Sequence, residues 1–223
     1  MALLEIHDLT KVYGAGETRV VAVDRVGLDL NRGELLLIMG PSGSGKTTLL
    51  SMMGCILRPS DGRIFLDGAE VSALDEARLP EIRRRFIGFV FQSFNLFPFL
   101  TALENVELVL RLKHVPREQR RSQALRLMER VGLAKRTHLY PADLSGGEKQ
   151  RTALARALAG DPPIILADEP TANLDSHTGQ EVLLLLRGLA EQGGNAVAVV
   201  SHDPRAEHLA HRVVVLADGR LAA

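Results

Sequence analysis

No apolar run in this sequence is long enough to cross a bilayer. The longest, such as Leu35 to Met39 and Val182 to Leu186, fall far short of the roughly 20 residues that a spanning helix needs. Any work at a membrane therefore requires another segment or polypeptide to do the spanning. The N-terminus, Met-Ala-Leu-Leu-Glu-Ile-His-Asp-Leu, lacks a basic region followed by a long apolar stretch, and no signal peptide is expected there. Cysteine occurs once, at Cys55, which excludes an internal disulfide and points to a reducing compartment. Cys55 itself reads as a small buried hydrophobe. Excess charge is also missing. The 27 basic and 27 acidic residues leave a formal net charge of +0, so nothing draws the chain electrostatically to nucleic acid or anionic lipid, and no nucleic-acid partner is expected. Aromatic residues make up only 4%, which makes any local concentration of them informative. Repeats and low-complexity tracts are absent.

What is present suits one large α/β domain, with room for a small helical subdomain: 223 residues, 46% of them hydrophobic. Leu3 to His7 and Val20 to Leu30 alternate apolar and polar residues, as half-exposed antiparallel strands do. Leu35 to Met39 is continuously apolar and predicts a strand buried on both faces. A helix is expected from Lys46 to Cys55, and strands over Arg63 to Leu66 and Phe86 to Phe91. Helical patterning dominates from Thr101 to about Gly160, where Ala124, Leu127, Met128 and Val131 fall at i, i+3, i+4 and i+7. Strand and helix then alternate again: Ile164 to Asp168, Gly179 to Leu189, Ala196 to Ser201 and Arg212 to Leu216. The expected architecture is a mostly parallel core sheet (residues 1–92 and 158–223) with an N-terminal antiparallel layer and a helical insertion at 93–157.

The strongest local signal is Gly40-Pro41-Ser42-Gly43-Ser44-Gly45-Lys46-Thr47, followed by Thr48. It matches the phosphate-binding pattern G-x-x-x-x-G-K-[ST] between a predicted strand and a predicted helix. Small residues let the backbone N–H groups turn inward onto phosphate oxygens, Lys46 adds a positive charge, and the Thr47 hydroxyl suits Mg²⁺. The helix start adds its dipole. Asp168 and Glu169 end the strand Ile164 to Asp168. Asp168 suits the metal, and Glu169 suits polarising a water that attacks the γ-phosphate. ATP and Mg²⁺ are the ligands expected.

Leu144-Ser145-Gly146-Gly147-Glu148, followed by Lys149-Gln150-Arg151, resembles the signature of ABC ATPases. Four further elements stand in that family's order. Tyr13 resembles the aromatic residue that stacks on adenine, and Gln92 resembles the Q-loop glutamine, which also touches Mg²⁺. Asn173-Leu174-Asp175 resembles the D-loop, and His202 the switch histidine. The resemblance covers essentially the whole chain. It implies an ATP-sandwich dimer in which the signature loop of one copy closes over the phosphate loop of the other, with Lys46, Gln92, Glu169 and His202 serving hydrolysis. The loop Ser145-Gly146-Gly147 is itself a small-residue anion site at a helix start, and Ser145 with Glu148 also fits a capping box. Without that family frame, Tyr13 beside Gly14 reads first as a packed loop residue, and His202 could serve as a surface helix cap, although its place at the end of a core strand in line with Asp168 favours the γ-phosphate.

The stretch Ser93 to Val106 after Gln92 looks like the lipoprotein-releasing and macrolide-exporter branch. The resemblance implies a separate membrane permease contacted through the region after Gln92, and a cytoplasmic location peripheral to the inner face of the membrane. Ser93 to Leu100 holds three of the seven phenylalanines. With the sequence ending at Asp218-Gly219-Arg220-Leu221, no C-terminal regulatory domain is expected. Two alternatives are a soluble ABC-type ATPase acting on DNA or ribosomes and an ATP-binding module without turnover. The first usually carries a long coiled coil or both ATPase halves on one chain, and neither feature is here.

Overall fold

A computed structural model of the chain describes residues 2–222. Its strands and helices, in chain order, are β1 (Ala2–Tyr13), β2 (Val20–Asn31), β3 (Leu35–Met39), α1 (Lys46–Met53), β4 (Asp61–Leu66), β5 (Ala69–Glu70), α2 (Leu79–Phe86) and β6 (Ile87–Val90). They continue with α3 (Ala102–Leu112), α4 (Arg117–Arg130), α5 (Gly146–Leu158), β7 (Ile164–Asp168), α6 (Ser176–Glu191), β8 (Ala196–Val200), β9 (Arg212–Ala217) and β10 (Arg220–Leu221). One sheet has the order β2-β1-β4-β5 and is antiparallel throughout. The other has the order β10-β9-β3-β8-β7-β6 and is parallel except at its β10 edge.

The continuous apolar runs explain the parallel sheet, because its central strands are buried on both faces. Leu35 and Leu37 of β3 join one core with Ile165 and Ala167 of β7, Val197 and Val199 of β8, and the helices α3 to α6. Leu36 and Ile38 join the other with Ile164, Leu166, Ala198 and Val200, together with α1 and the antiparallel sheet. Every one of these side chains is at most a few per cent exposed, and each large one contributes about 2 kcal/mol of transfer free energy. Cys55 lies in the second core, and burial pushes its thiol up to about 11. The stripe Ala124, Leu127, Met128 and Val131 faces the first core as its spacing predicts.

Several expected boundaries move. The helix at Lys46 stops at Met53, with Gly54 as its cap and Cys55 at positive φ. Phe86 is the last residue of α2, not the start of a strand, and β6 runs only from Ile87 to Val90. The helix α2 escapes a periodicity search because Arg83, Arg84 and Arg85 crowd its last turn and none of its residues is buried.

The segment between β6 and α3 has no regular structure, and side chains from elsewhere hold it. Asn105, fully buried on α3, accepts from the Phe97 amide at 2.8 Å and donates to the carbonyls of Phe97, Leu100 and Thr101. Thr101 caps α3 in a capping box with Glu104. Within this braced loop Phe97 and Phe99 remain 51% and 89% exposed.

Candidate active site

Four adjacent parallel strands end together and deliver the site. Ile38 lies level with Val200, Val200 with Asp168, and Ala167 with Val90. At these ends stands Asp168, the last residue of β7, and past them come the loop Gly40–Gly45 from β3, His202 from β8, Glu169 from β7 and Gln92 from β6. The carboxyl edge of an open parallel sheet is where ligands bind, because each strand there hands its chain to a loop. A cleft of ≈ 480 Å³ opens at this edge, lined by Ala22, Ser42, Gly43, Gly45, Lys46, Thr47, Thr48, Gln92, Glu169 and His202.

The loop curls because Gly45 takes φ 98 directly before α1, and a Cβ there would overlap the Ala22 carbonyl oxygen. That close approach also explains why Ala22, which carries no sequence signal, lines the cleft. The N-terminus of α1 consequently faces inward with its amides unpaired by any side-chain cap. Lys46 is buried, and its ammonium donates to the Gly40 and Pro41 carbonyls at 2.8 Å each, which leaves one of its three protons uncommitted. Ser44 is buried with its hydroxyl oxygen unpaired.

Thr47 Oγ1 donates to Asp168 Oδ1 at 3.0 Å. Burial raises the Asp168 pKa, and the charge of Glu169 raises it further, against the Thr47 hydrogen bond and the Lys46 charge. A buried carboxylate beside a hydroxyl offers hard oxygen ligands only, the donor set that suits Mg²⁺. Glu169 sits at φ 45, a left-handed backbone that costs a non-glycine residue of order 1 kcal/mol, with its amide donating to the Val200 carbonyl. Its carboxylate meets His202 Nδ1 at 2.9 and 3.0 Å, and both side chains line the cleft.

Other sequence-expected residues stand outside the cleft. Tyr13 ends β1, is 43% exposed, and has Lys11 Nζ at 5.4 Å from its ring centroid. Leu144 and the loop Ser145–Glu148 do not line the cleft. Ser145 caps α5, in a capping box with Glu148, whose pKa is held down by the Ser145 amide and by Arg136 at 2.8 Å. A Cβ on Gly147 would overlap Thr178 Cγ2, and one on Gly146 would touch Asn173 O and Leu174, so the two loops are in contact. Asp175 caps α6, accepting from His177 and Thr178, while Asn173 Nδ2 donates to the Gln92 carbonyl at 3.1 Å. His202 is not the cap of the short helix that follows it; Asp203 is. His211 Nδ1 accepts from the Leu35 amide, a structural use of that ring.

A glycine-rich loop running into a helix, opposed by a strand-end carboxylate pair on a parallel sheet, defines a P-loop nucleoside triphosphatase. The family model described as ABC transporter matches residues 23–172. Over 219 residues the chain is 49% identical to an uncharacterized ABC transporter ATP-binding protein of Thermotoga maritima, covering 98% of this chain and 93% of that one. It is 42% identical to the macrolide export ATP-binding/permease protein MacB of Vibrio parahaemolyticus, covering 99% of this chain but 34% of MacB. The fold matches a dimeric post-hydrolysis structure of the ATP-binding cassette MJ0796 bound to ADP and Pi, with TM-score 0.92 and 45% identity, covering 99% of this chain and 97% of that one. MJ0796 is a protein of Methanocaldococcus jannaschii. The chain belongs to the ABC transporter family, as an ATP-hydrolysing cassette.

Two glycines of the loop separate strain from overlap. Gly43 has φ 80 with open space where a Cβ would stand, whereas a Cβ on Gly45 would meet backbone. Gly43→Ala should lower stability by about 1 kcal/mol and Gly45→Ala by clearly more, as read from urea midpoints. Equal losses would mean that the approach of Ala22 does not demand Gly45.

Proposed function

We propose that this chain binds ATP and Mg²⁺ at the Gly40–Thr48 loop, hydrolyses the ATP within a dimer, and powers a membrane permease of the macrolide-export or lipoprotein-release type. The observation that carries the reading is the pairing of Glu169 with His202 across one cleft from Lys46. The loop amides and the free Lys46 proton take the phosphate oxygens. Thr47 and Asp168, with help from Gln92, would hold Mg²⁺, which when bound would supply positive charge beside the phosphates. Glu169 accepts a proton from the attacking water, and His202 orients the Glu169 carboxylate and reaches towards the γ-phosphate. Tyr13, exposed at the end of β1, offers its ring face to adenine.

The placement of the signature loop supports the dimer. Ser145, Gly146 and Gly147 present a second helix start with small residues, yet they lie outside the cleft of their own chain. They serve the phosphates of the other copy, and Asn173, Leu174 and Asp175 beneath them border the same interface. The dimeric form of MJ0796 supports this reading. No described helix is long and apolar enough to cross a membrane. MacB joins an ATP-binding part and a permease part by name, and this chain spans 34% of it. A permease on a separate chain would place this protein at the cytoplasmic face of the membrane.

Exchange of Glu169 for Gln keeps the shape but removes the base. Glu169→Gln should still bind ATP, lose turnover, and elute from gel filtration as a dimer when ATP and Mg²⁺ are present. Hydrolysis at the wild-type rate would remove Glu169 from its role.

The exposed Phe97 and Phe99 in the loop after Gln92 are the contact proposed for the permease, since apolar side chains exposed together mark partner sites. Phe97→Asp and Phe99→Asp should leave basal ATPase nearly intact and abolish co-purification with a co-expressed permease that the wild-type chain captures. Wild-type capture by both variants would sink the assignment.

A further inference from the structure

The helix that starts at Ser145 ends at a buried cation. Arg156 lies on the inner face of α5, 8% exposed, and among the described residues no carboxylate pairs with it. Burying a guanidinium without a counter-ion is costly, and burial does pull its pKa down. Its compensation comes wholly from backbone: it donates to the Phe94 carbonyl at 2.7 Å and to the Asn95 carbonyl. Both acceptors have left-handed backbone, Phe94 at φ 61 and Asn95 at φ 50; asparagine tolerates that conformation, and the bulky Phe94 does not. The loop after Gln92 is thus bent from outside. Arg156 grips it two and three residues beyond Gln92, while Asn173 grips the Gln92 carbonyl itself.

From Ser145 to Arg156 is eleven helical steps, a rod of roughly 16 Å. One end of that rod is the loop proposed to engage the ATP of the other copy, and the other end holds the loop that carries Gln92. We propose that Arg156 is a positioning residue for hydrolysis: it makes the signature helix and the Gln92 loop move as one body, so that closure at Ser145 sets Gln92 in place. The proposal rests on the assignment of Gln92 to the catalytic cleft. Arginine suits the task because its planar fork reaches two carbonyls at once, whereas the single ammonium of lysine reaches them less rigidly.

The test compares ATP turnover and ATP affinity in Arg156→Ala, Arg156→Lys, Gln92→Ala and Leu154→Ala. Leu154 is a buried neighbour on α5 that serves as a packing control. Turnover is expressed per ATP-binding chain, well below every melting temperature. Arg156→Ala should lower kcat about tenfold, with KM and ATP affinity changed by no more than about twofold. Arg156→Lys should recover part of the loss, and Leu154→Ala should keep the wild-type kcat. The proposal is overturned if Arg156→Ala loses no more kcat than Leu154→Ala, or if its ATP affinity falls in step with kcat. Should Arg156→Ala fail to fold, wild-type kcat in Arg156→Lys overturns it, and reduced kcat at constant KM supports it. If Gln92→Ala lowers kcat and the Arg156 variants do not, only the Arg156 proposal fails. If Gln92→Ala keeps wild-type kcat, the assignment of Gln92 fails and takes the proposal with it.

Discussion

Parallel hydrogen bonding between β3, β8, β7 and β6 is the constraint on which the site depends. These strands are short and buried on both faces, so their register is fixed by two cores at once. A slip of one residue in β7 would exchange Ile165 and Ala167 for Ile164 and Leu166 between the cores, and would carry Asp168 and Glu169 out of level with the Gly40–Gly45 loop. Catalytic geometry is thereby tied to hydrophobic packing, and no separate device is needed to align the carboxylates with the lysine.

Polar side chains then fix what the sheet leaves free. Asn105 shapes the segment before α3, Arg156 and Asn173 shape the turn after Gln92, and Asp175 sets the start of α6. Each satisfies backbone groups in loops that have no ladder of their own, as buried polar groups must. The strain at Phe94 persists because Arg156 holds its carbonyl.

Most of the parallel sheet was legible in the sequence, because strands buried on both faces read as unbroken apolar runs; β3 and β7 have the expected bounds. The phosphate loop and the Asp168–Glu169 pair were legible because their residue types and spacing are dictated by local chemistry. The short helix α2 was not, since it buries none of its residues and Phe86 looked like the start of a strand. Arg156, Asn105 and Ala22 were invisible for another reason. Their importance comes from contacts made across the chain, such as Arg156 with Phe94 and Gly45 with Ala22, and a linear pattern holds no trace of those.

The central claim is that each ATP is held by the phosphate loop of one chain and the signature loop of another. Mixing chains that carry Lys46→Ala with chains that carry Ser145→Arg tests it most directly. A mixed dimer then has one site with both loops spoiled and one with both intact. ATPase activity should rise above that of either protein alone and peak near equal proportions. Activity that stays at the level of the two separate proteins at every ratio would contradict shared sites.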